Sequence, residues 1–496
     1  MKKTIRVLFP ILALCIIGGA IYLTIALISP PKPLAADAPA TEFSAGRAMQ
    51  DLEVIASEPH PMGPSPAHAA VRDFLLVQIR ALGLEPQVQD TFGVRLVRPG
   101  FILGGVVDNI LVRLPGTDPE GAILLVSHYD TTPANPGAGC STSGVVTILE
   151  ILRALQAGPP LRQDVIVLFT DGEEPGTIGA HAFVAQHPWL ADVRYVINMD
   201  QYWLGAPNLL QTSGGNGILI QALARSAPST RPAYISFPFD LFPSGDSDLL
   251  PFLLAGMPGA AISTIVQPPE SHTMAESAAV VNPGSIQQAG NQILALVRTL
   301  GSQPTLAVSV PDQTYFPVLG RLVHYPVSLA WPLAALAGLA FLGTTAYGLR
   351  KRALTWRGLG WGFLALILSL LFCALIVNLI WPGIKSLHPE YGYAVGRPDE
   401  SDDYLYTMGF AALALAVILS SIALARKKIT SLDLAAGVLA IWLLIMIAAT
   451  ILLPASSYLF TWLLLINSLA LLLALAVRAS KQGWILSGLG SLVAAI

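Results

Sequence analysis

Six polar residues in four short segments have the chemistry to bind a metal ion and to move a proton. They are His128, Asp130, Glu173, Glu174, Asp200 and His272. Histidine nitrogens and carboxylate oxygens are the usual ligands of hydrolytic zinc sites, where one coordination position stays open for water. A carboxylate that does not bind the metal can act as a general base toward that water. These residue types therefore predict a zinc site with a base beside it.

The positions of these residues indicate that the side chains meet. Apolar runs that end at Val126, Phe169 and Met199 precede three of the four segments. The carboxyl ends of parallel strands lie along one edge of a sheet, and ligands bind there. A charge such as that of Asp200, directly after a buried strand, costs free energy unless it is paired or bound to a cation.

Each segment alone also has an ordinary structural explanation. Asp130 could simply hydrogen-bond His128 at a strand end, and the Glu173-Glu174 pair could be a solvated acidic turn. His272 alone is typical of a surface histidine, and Asp246 and Asp248 precede a helix that they could cap. Only the combination of segments predicts a site.

Residues 42–303 are expected to form an α/β domain. Strand patterns alternate with helical patterns along this part of the chain. The strands are predicted at 109–114, 122–126, 164–169 and 195–199, and the helices at 66–82, 144–155, 178–186 and 284–300. This order predicts a mixed, mainly parallel sheet flanked by helices, with antiparallel strands toward one edge.

Long apolar segments on both sides of this domain predict a membrane protein. Residues 1–30 are expected to be an N-terminal transmembrane anchor, because the uncharged run 7–28 exceeds the core of a cleaved signal, the alternative interpretation. A linker (31–41) and a connector (304–326) flank the domain, and 327–496 is a multi-span region. Its five expected spans are 327–348, 357–382, 405–425, 432–453 and 457–477. The stretch 483–496 is too short to span, which suggests a fragment or a chain that ends at the interface.

Basic residues predict the orientation of the chain. Clusters near Lys2, Arg350, Arg426 and Arg478 fall on one side of the membrane when the five later spans alternate. The positive-inside rule then makes that side cytoplasmic and places the α/β domain on the other. The bacterial periplasm or exterior is the expected location, with a vacuolar or endoplasmic-reticulum membrane as the alternative.

The composition excludes some functions. The chain has 496 residues, a net charge of −3 and 53% hydrophobic residues, and no basic patch marks its α/β part, which argues against nucleic-acid binding. Of its three cysteines, Cys15 and Cys373 lie in apolar spans. Cys140 is thus the only thiol of the α/β domain, which excludes a disulfide within it. The oligomeric state is not determined by the sequence.

Six segments form a specific pattern when taken together: His128-x-Asp130, Pro136-Gly-Ala followed by Ser143-Gly144, Asp171-Gly-Glu-Glu174, Asn198-Met-Asp200, Ser247-Asp248 and His272-Thr. This pattern covers about residues 45–300 and resembles the M28 family of zinc peptidases. The segment Tyr315 to Pro326, which leads into several spans, resembles the membrane-bound branch of that family, the vacuolar membrane proteases and endoplasmic-reticulum metallopeptidases.

The resemblance implies a role for each site residue. His128 and Asp200 would bind one zinc ion, and Glu174 and His272 the other. Glu173 would be the general base, and Asp130 would orient the neighbouring site residues without binding the metal itself. Peptides would be the substrates, and removal of N-terminal residues the expected reaction.

One position departs from the family pattern. Cys140 stands where the family has an aspartate that bridges two metal ions. A thiolate with Zn–S bonds of about 2.3 Å could bridge two zinc ions. Alternatively, one zinc is lost and a single-metal hydrolase remains, or the domain is catalytically impaired and serves as a membrane receptor or scaffold. A transporter is a further alternative, but the spans hold almost no charge within the bilayer.

Overall fold

The computed structural model describes residues 29–200, 209–226, 233–238, 247–263, 270–306, 310–318, 321–388 and 403–478, and isolated positions between 15 and 26. The chain divides into two compact units. One spans Tyr22–Val327, and Ser328–Ile496 belongs to the other. The predicted anchor lies almost entirely outside the described residues, and the stretch 483–496 lies wholly outside them.

The first unit is built on an eight-stranded mixed sheet in the order β1-β2-β4-β3-β5-β8-β6-β7. The strands are β1 (Gln87–Arg98), β2 (Phe101–Leu114), β3 (Ala122–His128), β4 (Asp164–Thr170), β5 (Val193–Met199), β6 (Leu209–Thr212), β7 (Ala233–Pro238) and β8 (Gly259–Ser263). Strands β4, β3, β5 and β8 run parallel, whereas β1 and β2 form an antiparallel edge. The predicted fold class is confirmed.

The central strands are apolar along their whole length because both of their faces are covered. Every residue of β3 and β4 is buried. Ile123 and Leu125 of β3 pack into one core layer, and Leu124 and Val126 pack into the other. Successive side chains of a strand point to opposite faces, so a strand between two helix layers needs apolar residues at every position.

Seven α-helices of the described residues belong to this unit. They are α1 (Ala45–Ile55), α2 (Pro66–Ala81), α3 (Ser143–Gln156), α4 (Ile178–Gln186), α5 (Gly217–Ser226), α6 (Leu249–Leu254) and α7 (Pro283–Gly301). Their ends follow local sequence signals. Ser65 and Asn282 cap the amino ends of α2 and α7, and a proline follows each cap. Gly83, the predicted end of α2, adopts a φ of 77°.

A short π-helix, Ala138–Thr142, precedes α3 and holds Cys140. Its entry at Gly137 has a φ of 68°, and a Cβ atom there would lie 2.4 Å from the Thr131 side chain. A glycine is therefore required where the chain turns into this helix.

The second unit contains five long apolar helices among its described residues. They are α8 (Ala330–Arg350), α9 (Trp356–Leu387), α10 (Asp403–Ala425), α11 (Ser431–Leu452) and α12 (Tyr458–Arg478). All five are long and apolar enough to cross a membrane, and they coincide with the five predicted spans. The segment Ala138–Gln156 has similar length and hydropathy but is buried within the first unit. The remaining strands, β9 (Gln313–Val318) and β10 (Arg321–Pro326), form a separate hairpin.

Candidate metal centre

Three adjacent strands bring the predicted site residues to one edge of the sheet. His128 is the last residue of β3 and is paired with Thr170 at the end of β4. Glu173 and Glu174 follow β4 in a turn, and Asp200 directly follows β5. The parallel pairing of β4, β3 and β5 places these ends side by side, as predicted.

His128 lies between two carboxylates. Its Nε2 atom is 3.9 Å from Oε2 of Glu173 and 3.9 Å from Oδ1 of Asp200. The other ring nitrogen, Nδ1, lies 3.1 Å from the carbonyl oxygen of Asp130. A histidine held at Nδ1 by a carbonyl presents Nε2 as its metal-binding atom.

The Asp130 carboxylate contacts both the acidic turn and His128. The Asp130 Oδ1 atom accepts the backbone N–H of Glu173 at 3.0 Å, and Oδ2 accepts that of Glu174 at 3.3 Å. Its Oδ1 atom is 3.4 Å from Nδ1 of His128. This buried side chain thus fixes the acidic turn relative to the histidine.

His272 approaches the site from a separate loop. Its Nε2 atom lies 3.5 Å from Oε1 of Glu174. The residue adopts a φ of 58°, which is uncommon for a side chain other than glycine. The two members of each ligand pair implied by the resemblance, His128 with Asp200 and His272 with Glu174, are therefore neighbours.

Cys140 is buried next to Ser271 and Glu276. Its Sγ atom is 3.2 Å from Oγ of Ser271 and 3.5 Å from Oε2 of Glu276. Burial raises the pKa of the thiol, and the charges of Glu276, Glu174 and Asp200 raise it further. Since Glu174 belongs to one pair and Asp200 to the other, the electrostatic neighbours of the thiol come from both.

Glu276 is a site residue that the sequence analysis missed. Its Oε1 atom accepts the backbone N–H groups of Gly139 and Cys140 at 3.1 and 2.6 Å. Its Oε2 atom accepts the amide of Asn135 at 2.8 Å and the backbone N–H of His272 at 2.7 Å. This carboxylate joins the Cys140 and His272 loops. Its position four residues after His272 was the available signal.

Asp248 is not the simple helix cap that its position suggested. The side chain makes no capping hydrogen bond to α6 and instead accepts the hydroxyl of Thr170. It is fully buried, and burial raises the pKa of its carboxyl to about 7. Its companion in that interpretation, Asp246, lies outside the described residues.

His68 also helps to position the acidic turn, although the sequence indicated no role for it. Its Nε2 atom is 2.9 Å from Oδ1 of Asp171, and its ring stacks on Tyr129 with centroids 5.1 Å apart. Asp171 also accepts the backbone N–H of Asp108 at 3.0 Å. These contacts fix the start of the turn that carries the two glutamates.

Several acidic side chains lie close together in the site and away from water, and this arrangement shifts their pKa values. Burial raises the pKa of Glu173 well above its usual range and that of Glu174 to about 8. Burial alone would lower the pKa of His128, yet the nearby carboxylates raise it well above the ordinary value. Like charges gathered away from water favour protonation unless a cation neutralises them.

Residues 109–297 match the family described as peptidase family M28. The chain therefore carries a peptidase family M28 domain. The family that the motifs indicated is confirmed.

Relatives of this M28 domain include proteins of the membrane-bound branch. The endoplasmic reticulum metallopeptidase 1 of Mus musculus is 30% identical over 374 residues, 68% of this chain and 42% of that protein. The vacuolar membrane protease of Candida albicans (strain SC5314) is 35% identical over 176 residues, 34% of this chain and 20% of that protein. The chain spans less than half the length of these relatives. Among solved structures, an aminopeptidase from Aneurinibacillus sp. strain AM-1 covers 55% of this chain and 98% of its own, at 13% identity and a TM-score of 0.46.

The donor atoms of this M28 domain fit a zinc centre. Oδ1 of Asp200 and Oδ1 of Asp248 are buried and accept no hydrogen bond from the described residues. Within the described parts of the chain, no three of the candidate side chains enclose a metal position. The pairs His128–Asp200 and His272–Glu174 are separated by 3.9 and 3.5 Å.

Proposed function

We propose that this protein is a membrane-anchored, zinc-dependent exopeptidase whose M28 domain removes N-terminal residues from peptides outside the cytoplasm. The observation that carries the proposal is the buried group of acids around His128, which includes two oxygens without hydrogen-bond donors among the described residues. Such a group is stable as ionised carboxylates only with a cation. The names of the metallopeptidase and protease relatives support the same reaction class.

The metal ligands in this proposal are His128 and Asp200, Glu174 and His272, with Cys140 as a fifth ligand between the pairs. Bound zinc would supply Lewis-acid chemistry, which polarises a carbonyl group and makes water more acidic. Two ions would be held if the Cys140 sulfur bridges them, and one if it does not. Burial keeps the thiol protonated in the absence of positive charge, so ionisation of Cys140 would accompany metal binding.

Glu173 serves as the general base in this proposal. Its carboxylate lies beside His128, and its backbone N–H is held by the Asp130 side chain. It takes a proton from the attacking water and returns it to the leaving amine. Asp130 positions the base and His128 in this proposal.

The alternative function is that of a membrane receptor or scaffold with a catalytically impaired M28 domain. Cys140 at the position of the family's bridging aspartate favours this alternative, because its buried thiol contacts Ser271 and Glu276. The membrane location is common to both proposals. The basic clusters support a cytoplasmic amino end, with a bacterial envelope favoured over a vacuolar or endoplasmic-reticulum membrane.

The test uses the full chain in lipid nanodiscs, as wild type, Cys140→Ser and Cys140→Asp. Zinc content is measured by elemental mass spectrometry, and activity is measured with aminoacyl anilides. The proposal with a bridging thiolate expects two zinc ions per wild-type chain and one or none in Cys140→Ser. One zinc ion and activity in both proteins would support a single-metal enzyme. A wild type without zinc and without activity, with cleavage appearing only in Cys140→Asp, would establish the impaired alternative.

A further inference from the structure

A cavity lies among four of the long apolar helices, α9, α10, α11 and α12. Its volume of about 610 Å³ is within the range of roughly 300–1,000 Å³ that is typical of ligand sites. All of its lining residues belong to the second compact unit. The candidate metal centre lies in the first unit, so the cavity is a separate feature of the chain.

The cavity extends along the helices for about the depth of one lipid leaflet. It is lined by α11 from Ser431 to Trp442 and by α12 from Leu463 to Ala474. At a rise of 1.5 Å per residue, each of these stretches is about 16 Å long. The hydrocarbon core of a bilayer is ~30 Å thick, so one leaflet accounts for about 15 Å of it. Because α11 runs from Ser431 to Leu452, the cavity extends from one end of that helix to its middle.

The end of the cavity at Ser431, here called the basic end, is surrounded by positive charge. Arg426, which directly follows α10, lines the cavity there. Asp433 accepts the backbone N–H of Thr355 at 2.8 Å and the hydroxyl of Thr430 at 2.8 Å, so the loops before α9 and α11 lie side by side. These loops and the adjoining helix ends carry seven exposed cations: Arg350, Lys351, Arg352, Arg357, Arg426, Lys427 and Lys428.

Negative charge is scarce at the basic end. Asp433 is buried, and both of its carboxylate oxygens accept hydrogen bonds from the two loops. The other acids after residue 328 lie between Glu390 and Asp403. They precede α10 or begin it, whereas Arg426 follows it. The cations therefore outnumber the acids at this end, and an anionic group would be attracted to it.

The inner part of the cavity is suited to hydrocarbon. Its wall consists mainly of apolar side chains, among them Leu366, Leu439 and Leu471. Two polar side chains also lie in this wall. Ser369 and Asn467 each donate a hydrogen bond to the carbonyl group four residues earlier in the same helix, at 2.6 and 2.8 Å. These donors therefore have partners in their own helices and do not require a polar ligand.

We propose that this cavity binds one anionic glycerophospholipid from the leaflet at its basic end. An acyl chain lies between α10, α11 and α12, and the head-group phosphate contacts Arg426. Basic pockets between membrane helices bind acidic lipid head groups, and an apolar cavity one leaflet deep matches the acyl chain of such a lipid. Helix α10 packs mainly on α9, so the lipid would join α10 to α11 and α12. This role is additional to the proposed peptidase function and does not depend on it.

The experiment uses native mass spectrometry of the full chain, released from nanodiscs that contain equal amounts of phosphatidylglycerol and phosphatidylcholine. The mass of each species gives the number and the kind of phospholipids that a chain retains. Arg426→Gln removes the charge at the cavity, and Lys427→Gln removes a neighbouring charge that does not line it.

A second pair of variants tests the cavity itself. Ala435→Phe fills it from α11, and Ala412→Phe adds the same side chain at an exposed position of α10 that does not line it. Ala365→Phe, which fills the cavity from α9, serves as a second filling variant if Ala435→Phe lowers the unfolding temperature. Circular dichroism measures the unfolding temperature of each protein.

The proposal expects about one retained lipid per wild-type chain, predominantly phosphatidylglycerol. Arg426→Gln should lower the preference for phosphatidylglycerol by about fivefold, the effect of one arginine on an acidic lipid, whereas Lys427→Gln should leave most of it. The filling variants should abolish retention, and Ala412→Phe should retain lipid as the wild type does.

Three results would overturn the proposal. The first is equal retention of the two lipids by the wild type, and the second is lipid retention that the filling variants do not change. The third is a wild type that retains no phospholipid; paired chains in the same spectra would then identify a second copy of the chain as the occupant. Zinc content and peptidase activity do not enter these measurements, so each of these results leaves the proposed function unaffected.

Discussion

The Asp130 Oδ1 atom accepts the backbone N–H of Glu173 at 3.0 Å, so one buried acid sets the position of another. The same side chain lies against His128, the candidate ligand at the end of β3. The proposed base and the proposed metal ligand therefore share one support, although 43 residues separate Asp130 from Glu173 along the chain. The predictions below follow from this arrangement and from the packing around it.

Replacing the proposed base should abolish turnover without removing the metal. In Glu173→Gln the side chain keeps its size but cannot accept the proton from water. We expect kcat to fall by roughly 10²–10⁴-fold, with unchanged zinc content by elemental mass spectrometry. Glu53→Gln, an exposed change of the same type, should keep wild-type activity. A Glu173→Gln protein with normal kcat would remove Glu173 from the mechanism.

Replacing Asp130 should lower activity because the proposed base, Glu173, would lose part of its support. The amide introduced by Asp130→Asn offers one acceptor oxygen in place of two, so one of the N–H groups of Glu173 and Glu174 loses its partner. We expect kcat/KM to fall by about 10–100-fold, mainly through kcat, while some zinc is retained. Steady-state kinetics with metal analysis would test this, with Asp90→Asn as the exposed control. A change confined to KM would contradict a role in positioning the base.

Glu276 should matter for folding as well as for the site. The Glu276 carboxylate accepts four N–H hydrogen bonds, three from backbone groups and one from the side-chain amide of Asn135. In Glu276→Gln an NH₂ group would face some of these N–H donors. A buried polar group that is left without a partner costs about 1–3 kcal/mol. We expect a lower unfolding temperature and reduced zinc content.

Glu276→Asp should recover part of the stability, because it restores the carboxylate on a shorter side chain. Thermal unfolding of the full chain, monitored by circular dichroism, would measure both proteins. A Glu276→Gln protein as stable as wild type would show that these hydrogen bonds are dispensable.

Asp51 should make the stability of the domain depend on pH. Burial, with a contribution from the nearby Glu150, raises the pKa of Asp51 from 3.8 to about 6 in the folded state. The folded chain thus binds a proton that the unfolded chain lacks between about pH 4 and pH 6. The contribution of Asp51 to stability is therefore greatest below that window and is lost as the pH rises through it.

Removing this charge should stabilise the protein at neutral pH. We expect Asp51→Asn to raise the free energy of unfolding at pH 7 by about 1 kcal/mol, since solvent screening reduces the effect at this half-buried position. The gain should disappear near pH 4. Denaturant unfolding at pH 4 and pH 7 is the measurement, and an equal effect at both values would contradict the assigned cause.

Gly290 on α7 should not tolerate a side chain. A Cβ atom there would lie 2.3 Å from the buried ring of Phe43. Such overpacking typically costs about 1–3 kcal/mol, so Gly290→Ala should lower the unfolding temperature. Combining it with Phe43→Leu should cost less than the sum of the single changes, because the smaller side chain makes room. Strict additivity would show that the contact is not responsible.

Much of the fold was readable because its signals are local. The apolar runs that form β3 and β4 are buried on both faces. Helices α2 and α7 each begin at a capping residue followed by proline, Ser-Pro in α2 and Asn-Pro in α7. The five C-terminal helices were also predicted, because a helix that spans a bilayer must be long and apolar. Strand β1 and the first part of β2 were missed because their alternation of apolar and polar residues is broken by glycines and because the outer face of this hairpin is apolar.

The sequence by itself determined which residues could bind zinc and at which strand ends they would stand, since residue type and strand order are both written in the chain. Only the tertiary structure decided what supports them. Asp130 holds the acidic turn, Glu276 joins the loops of Cys140 and His272, and Asp248 turns away from its helix toward Thr170. These contacts join residues far apart in sequence, and their partners are largely backbone N–H groups, which every residue except proline carries. A residue pattern therefore cannot reveal them, whereas folding brings each acid to the few donors it can reach.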